Sequence, residues 1–408
     1  MPLLELWSSN PATIGQFSIE QIVKTAGSGN LQDGSDCANE LQAYLLEVSS
    51  DKLAEYIDTC LTAHFPNSGR VLQDLVNELG RRLDYKVSNG RYQGTVNTIG
   101  YDGIWVSPEG HSIVVEVKTT DAYRISLDTI AGYREKLLKA DELQQPASVL
   151  IVVGREDTGE LEAQVRGSRH AWDMRLISTD ALIKLVQLKE GAEEPETGRK
   201  IRSLLSPMEY TRLDQMVDVM FTTAKDVENA AGAEVGTEEG AGEVESEPDK
   251  SKSTWEFTDA ALLQGKRDDI ISALGTRESV ALIRRSHALF WNADHTIRVA
   301  VTISKRYARK GGPSYWYAYH PQWRDFLDEA QRAYVILGCM DRNEAFAIPA
   351  DTLHPVLGSL NTTEKEDGSL YWHLHLYEDP LGAVSLTLPK EKGSLQLSPF
   401  RIPLLKAG

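Results

Sequence analysis

The chain has 408 residues, 41% of them apolar and 25% charged, enough to fill two or three domain cores with an ordinary globular composition. No run of about 18 apolar residues occurs and no basic-then-apolar leader opens the chain, so the expectation is a cytoplasmic protein with no membrane span. Three scattered cysteines (Cys37, Cys60, Cys339) exclude a disulfide frame or zinc ribbon, and a net charge of −17 excludes long-range attraction of nucleic acid by the whole molecule.

That charge is unevenly spread. Residues 226–249 hold nine acids and no Lys or Arg, whereas residues 253–408 hold eighteen of each sign. A local DNA-binding face is therefore permitted, and binding through it would be salt-sensitive.

Residues 1–65 read as a helical extension. Ile19, Ile22, Val23 and Ala26 follow the helical period, and Ser18 with Gln21 three residues on forms a capping box. Two more amphipathic helices are predicted over 36–49 and 51–64, the second entered through Ser50 as N-cap. Their expected role is to buttress the domain that follows.

The second domain spans 66–222. Val71, Leu72, Leu75, Val76, Leu79 and Leu83 give its first core helix, and a strand begins near Tyr85. The Gly-rich loop 88–94 carries Arg91, which reads either as a phosphate contact or as a solvated turn residue. Residues 101–120, YDGIWVSPEGHSIVVEVKTT, then present Asp102 and an apolar strand ending in Glu116-Val117-Lys118. Side chains alternate along a strand, so Glu116 and Lys118 share one face while Val115 and Val117 enter a core. Two carboxylates and an ammonium at a strand end are the minimum equipment for holding Mg2+, or Mn2+ in its place, and directing a water at phosphate. The bland alternative is an exposed strand end with a solvated ion pair.

A register condition follows. If residues 107–110 closed a two-residue hairpin loop, Asp102 would lie opposite Val115 and Glu116 would face away. Convergence of the two acids requires an odd loop or a β-bulge between them.

Beyond Lys118, a helix is predicted over 127–140 with Ser126 as cap, a buried strand over 148–154, a strand over 174–178 and a helix over 180–188. Arg166, Arg169, His170, Trp172 and Arg175 make this stretch basic, which fits either a DNA-backbone contact or ordinary surface arginine beside a packed Trp.

The helix, three strands, helix, strand order with Asp102 and Glu116-x-Lys118 resembles the PD-(D/E)XK, restriction-endonuclease-like superfamily, in its Mrr-like branch, over roughly residues 65–190. Tyr101 stands where the family name expects proline. Gln73 stands where the Mrr-like branch often carries an acid in the first helix, with Asp74 and Glu78 nearby as candidates for a third carboxylate. The resemblance implies an α/β fold with an αβββαβ core and a metal-dependent DNA endonuclease, with Asp102 and Glu116 as Mg2+ ligands and Lys118 positioning the attacking water. It also implies a restriction or phage-defence setting with a possible partner protein of that system, and a homodimer for double-strand cleavage. Other readings are a repair or processing nuclease, a nuclease gated by a nucleotide or partner, and a non-catalytic DNA-binding protein.

A helix is predicted over 200–222. Residues 223–253, rich in Ala, Gly and Glu and without an aromatic, read as an acidic tether. Residues 254–408 alternate short β-like runs with turn signals, giving a mainly β or α+β module for target recognition or sensing. Within it Lys305, Arg306, Arg309 and Lys310 precede Tyr315, Trp316, Tyr319 and Trp323. This mixture reads either as a nucleic-acid surface, with phosphate-holding cations and base-stacking rings, or as strand core beside a basic loop. His373 and His375 share a strand face, where paired packing outweighs metal binding.

Overall fold

Amphipathic periodicity near the N-terminus becomes a set of short helices: α1 (Pro2–Ser9), α2 (Pro11–Ile14), α3 (Ile19–Thr25), α4 (Asp36–Leu45) and α5 (Ser50–Thr62). The computed structural model describes residues 2–63, 65–93, 99–119, 126–154, 159–192, 195–207, 260–309, 312–364, 370–379, 381–391 and 393–404. The chain divides into two compact units, Met1–Lys225 and Asp226–Gly408. Residues 223–253, read as a tether, lie outside the described residues, as does the predicted helix beyond residue 207.

The capping box of α3 forms, with Ser18 and Gln21 each bonding the other's backbone N–H. At α5 the expected cap is displaced by one residue. Ser49 is extended and its Oγ accepts from Lys52 N at 3.2 Å, while Ser50 is already helical and donates its hydroxyl to Glu190 at 2.6 Å.

The first unit continues with α6 (Ser68–Arg82), β1 (Lys86–Asn89), β2 (Gly103–Val106), β3 (Ser112–Lys118), α7 (Leu127–Lys139), β4 (Ala147–Val153), α8 (Gly159–Arg166), β5 (Met174–Ser178), α9 (Thr179–Gly191) and α10 (Pro195–Leu205). Ser126 precedes α7 without capping it; its hydroxyl bonds Thr129 Oγ1 instead. The five strands form one mixed sheet in the order β1-β2-β3-β4-β5, antiparallel from β1 to β3 and parallel from β3 to β5.

Strand alternation divides the apolar side chains of this sheet between two cores. Trp105, Ile113, Val115, Leu150 and Val152 pack with α6, α9 and the N-terminal helices in one continuous core. Ile104, Val114, Val149, Ile151 and Val153 pack with Ile130, Ala131 and Leu137 of α7 on the other side. Buried Arg82 ties α6 to the N-terminal helices, donating to Val48 O at 2.6 Å and to Glu78 at 2.9 Å.

Among its described residues the second unit contains two six-stranded sheets. One runs β17 (Arg401–Pro403), β12 (Glu344–Pro349), β11 (Arg332–Cys339), β8 (Ile297–Ser304), β7 (Leu289–Trp291), β6 (Ile283–Arg284), and its β8–β11 pair is parallel. The other runs β16 (Gly393–Gln396), β15 (Val384–Leu388), β14 (Leu370–Glu378), β10 (Gly312–Tyr319), β9 (Tyr307–Arg309), with β13 (Thr362–Glu364) on β14. Side chains from both sheets meet in a shared core that includes Val335, Leu337, Phe346, Tyr317, Leu374 and Leu376. The helix Ala260–Glu278 covers the first sheet's other side through Leu263, Ile270 and Leu274. Both units are thus mixed α/β architectures, each with helices on a sheet.

Candidate active site

The turn between β2 and β3 sets the geometry. Ser107 N–H donates to His111 O at 2.9 Å and Gly110 N–H to Ser107 O at 2.9 Å, so the loop proper is the three residues 108–110. Gly110 sits at φ +86°, a conformation that L side chains rarely adopt and that three-residue loops place at their last position. The odd loop fixes the register Gly103↔Val115 through Val106↔Ser112. The paired register ends at Gly103, and the Asp102 N–H donates to Val115 O one residue out of it, so the ladder is offset there as at a β-bulge.

Asp102 is held at both its backbone and its carboxylate. Its N–H donates to Val115 O at 3.0 Å, and its Oδ2 accepts from Val117 N–H at 2.6 Å, the peptide just after Glu116. Its carbonyl accepts from Gly90 N–H at 2.9 Å, from Asn77 Nδ2 at 2.9 Å and from Gln73 Nε2 at 3.1 Å. Glu116 and Lys118, two apart on β3, share a face and meet at 2.5 Å between Oε1 and Nζ. Lys118 keeps about a third of its side chain exposed (34%) and Glu116 about an eighth (12%).

Electrostatics link the same groups. Burial, and then the Glu116 carboxylate, push the Asp102 carboxyl up to about 7, while the Val117 N–H and the Lys118 ammonium act in the opposite direction. Tyr133 of α7 feels all three. Burial and Glu116 raise its phenol, Lys118 opposes and Asp102 adds, so the hydroxyl stays protonated at neutral pH. Tyr133 was not visible from the sequence as a site residue, because on α7 it reads as one more partly buried ring.

Helix α6 contributes amides to this site in place of a third acid. Both oxygens of Asp74 are engaged, by Gln42 Nε2 at 3.1 Å and by the Tyr92 hydroxyl, and burial lifts its carboxyl to about 7. Both oxygens of Glu78 hold arginines, Arg82 at 2.9 Å and Arg81 at 3.3 Å. Gln73, at the position where the family resemblance leads one to expect an acid, instead bonds the Asp102 backbone. Asn77, one turn later, was missed by the sequence reading. Its signal was a run of polar residues at 73, 74, 77 and 78, spaced i,i+4 on a helix that is buried on all sides.

Among the described residues no cluster of three or more His, Cys, Asp or Glu side chains is arranged to hold a metal ion. The pair of Asp102 and Glu116 offers two carboxylates. Such hard oxygen donors fit Mg2+, which keeps several of its own waters and takes the rest of its shell from substrate phosphate.

The arginines between β4 and β5 are ion-paired locally: Arg169 with Asp128 at 2.9 Å and Arg166 with Glu162 at 3.7 Å. His170 bonds the same Asp128 at 2.7 Å. Trp172 is 65% exposed.

In the second unit, the expected aromatic surface is largely core. Tyr315 and Tyr319 are fully buried and Trp323 nearly so, all packed between the two sheets, and a ring enclosed in this way cannot stack on a base. Tyr315 donates to Asp341 at 3.0 Å, and Tyr319 pairs with His354 at 2.8 Å. Arg306 is already neutralised by Asp341 and by Glu378, the latter at 2.9 Å. Trp316 lies on the opposite side of β10 from those tyrosines, half-buried, with its Nε1 donating to His373 Nδ1 at 3.3 Å. Lys305 is half-buried with its Nζ 5.8 Å from the Tyr307 ring. Arg309 falls in β9, and Lys310 lies outside the described residues. His373 also bonds Thr363 Oγ1 at 2.7 Å, so both of its ring nitrogens are in use.

Compared with protein-family models and with curated proteins, the sequence gives no match.

Proposed function

We propose that the first unit is a metal-dependent nuclease of the PD-(D/E)XK type that hydrolyses DNA phosphodiesters. The observation that supports this reading is the Asp102 carboxylate bonded to the Val117 N–H, between Glu116 and Lys118 in the chain and within electrostatic reach of both. The helix, three strands, helix, strand order of α6, β1, β2, β3, α7 and β4 supports it as well.

In this reading Asp102 and Glu116 hold Mg2+, which when bound supplies charge neutralisation on phosphate oxygens and a more acidic water. Lys118 exchanges its contact with Glu116 for the attacking water or a phosphate oxygen, a role suited to a compact ammonium. Tyr133, protonated and within electrostatic reach of all three groups, would donate a hydrogen bond to the same phosphate. A cation held there would favour the ionised form of the Asp102 carboxyl, since an ionised carboxylate is the stronger oxygen ligand. One such site cuts one strand, so cleavage of both strands would use a homodimer, and the second unit would select the target or gate the nuclease in a restriction or phage-defence setting.

The test is incubation of purified protein with plasmid DNA and Mg2+, with and without chelator. Cleavage that disappears in Glu116→Ala and in Lys118→Ala, with unfolding midpoints retained, supports the assignment. Cleavage retained by both variants refutes it.

A second reading has its own observation. The short Lys118–Glu116 pair is also what an inert strand end would display, in a DNA-binding protein without catalysis. That protein would bind DNA with one salt slope whether or not Asp102, Glu116 and Lys118 are replaced.

A further inference from the structure

We propose that Asn77 is a positioning residue for the candidate metal site, fixing Asp102 through its backbone carbonyl; this rests on the nuclease reading above. Asn77 is almost fully buried on α6, one helix removed from the strand it serves. Its amide is used from both ends: Nδ2 donates to Asp102 O at 2.9 Å, and Oδ1 accepts from Trp105 Nε1 at 2.9 Å. An amide bonded in both directions cannot flip without losing two buried hydrogen bonds.

The neighbouring residues are shaped around this contact. A Cβ at Gly103 would overlap Asn77 Oδ1, so the residue after Asp102 must be glycine for the helix amide to come this close. The Asp102 carbonyl accepts three donors, from Asn77, Gln73 and Gly90 N–H, one more than its two lone pairs accommodate in line. Such crowding of donors on one carbonyl is more than chain satisfaction requires. It pins the peptide that follows Asp102, and with Val117 N–H on Oδ2 it leaves the carboxylate little freedom of rotation. A carboxylate fixed before the cation arrives loses less entropy on binding it, and outer-shell partners of metal ligands are worth about 10- to 100-fold in affinity or activity.

The experiment measures Mn2+ binding to the full chain without DNA, by the electron paramagnetic resonance signal of unbound Mn2+. The variants are Asn77→Ala and the isosteric Asn77→Asp, which keeps the acceptor for Trp105 but loses the donor to Asp102. Trp105→Phe is the comparison, because it removes the other bond of the same amide. The expected result is a dissociation constant raised about 10- to 100-fold in the Asn77 variants and within about threefold of wild type in Trp105→Phe. Should Asn77→Ala fail to fold, Asn77→Asp decides alone. Wild-type Mn2+ affinity in the folded Asn77 variants, with Glu116→Ala losing binding, overturns this inference and leaves the nuclease reading standing. Unaltered binding in Glu116→Ala overturns that reading and this inference with it.

Discussion

Residues 101–120 and residues 305–324 both mix charged, polar and aromatic side chains on strands, yet the two stretches are put to opposite uses. On β3 the charged residues Glu116 and Lys118 share one parity, and Ile113 and Val115 occupy the other, inside a core. On β10, Tyr315 and Tyr319, two of the rings read as possible base-stacking groups, face inward with Tyr317 in the core shared by the two sheets, while Trp316, another of them, lies on the outer side. The difference lies in what marks the inward face. From Val115 onward β3 carries valine on one parity and only charge on the other, although Val114 before them is buried on the charged parity, whereas on β10 aromatic residues occupy both parities and either face can be the buried one. The exposed face of a strand is therefore legible when its apolar half is made of residues that can do nothing else.

Predictions can break or sharpen this contrast. The largest effect is expected from Glu116→Ala, which should lower the DNA cleavage rate at least about 1,000-fold with an unchanged unfolding midpoint. Deleting Pro108 should reach a similar loss by another route. A two-residue loop would shift the register by one and turn Glu116 away from Asp102, and restoring a three-residue loop with Ala at 108 should recover activity.

On β10 the effect moves from activity to stability. Tyr317→Ala should destabilise the second unit by about 3–5 kcal/mol in urea unfolding, as removal of a fully buried ring does. Its hydroxyl also loses its bond to Gly338 O at 3.0 Å. Trp316→Ala, one residue away on the outer face, should cost only about 1 kcal/mol, and an equal loss at the two positions would undo the contrast.

An effect of intermediate size concerns pH. The Asp74 carboxyl stands at about 7 in the folded protein, above its ordinary value near 4, because burial disfavours its charge. The folded state thus holds this proton more tightly than the unfolded chain. The stabilisation linked to it is complete below about pH 4 and is lost as pH rises to about 7. Asp74→Asn removes the titration, so it should raise stability at pH 8 by roughly 2–4 kcal/mol relative to its effect at pH 4. Denaturant midpoints for both proteins across that range provide the check, and parallel curves would count against it.

Much of the first unit could be read from the chain. The helical periods, the capping box at Ser18, and the alternation that puts Glu116 and Lys118 together all follow from local rules. The need for an odd loop was also deducible, since a period of two makes register an all-or-none matter, and Gly110 supplies that loop. What was not legible depends on which face a second element covers. Asn77 reaches the Asp102 carbonyl only because α6 crosses β2 close enough to exclude a Cβ at Gly103. Asp74 and Glu78 looked like spare ligands until Tyr92, Gln42, Arg81 and Arg82 took their oxygens. The Ser50 cap missed by one residue because two consecutive serines carry the same local signal, and the burial of Ser50 against Glu190 is a long-range event.

The single core that joins the N-terminal helices to the sheet sets where this protein can be shortened. A fragment starting at residue 66 would strip the apolar side of α6 and remove the Val48 carbonyl that receives Arg82, leaving a guanidinium facing a gap and a broad greasy surface open to water. Such a fragment should precipitate or bind chaperones, whereas one that begins at residue 2 and retains α10 should remain a soluble, cooperatively melting piece. Attempts to isolate the candidate site by trimming to its shortest recognisable stretch would thus measure aggregation in place of chemistry.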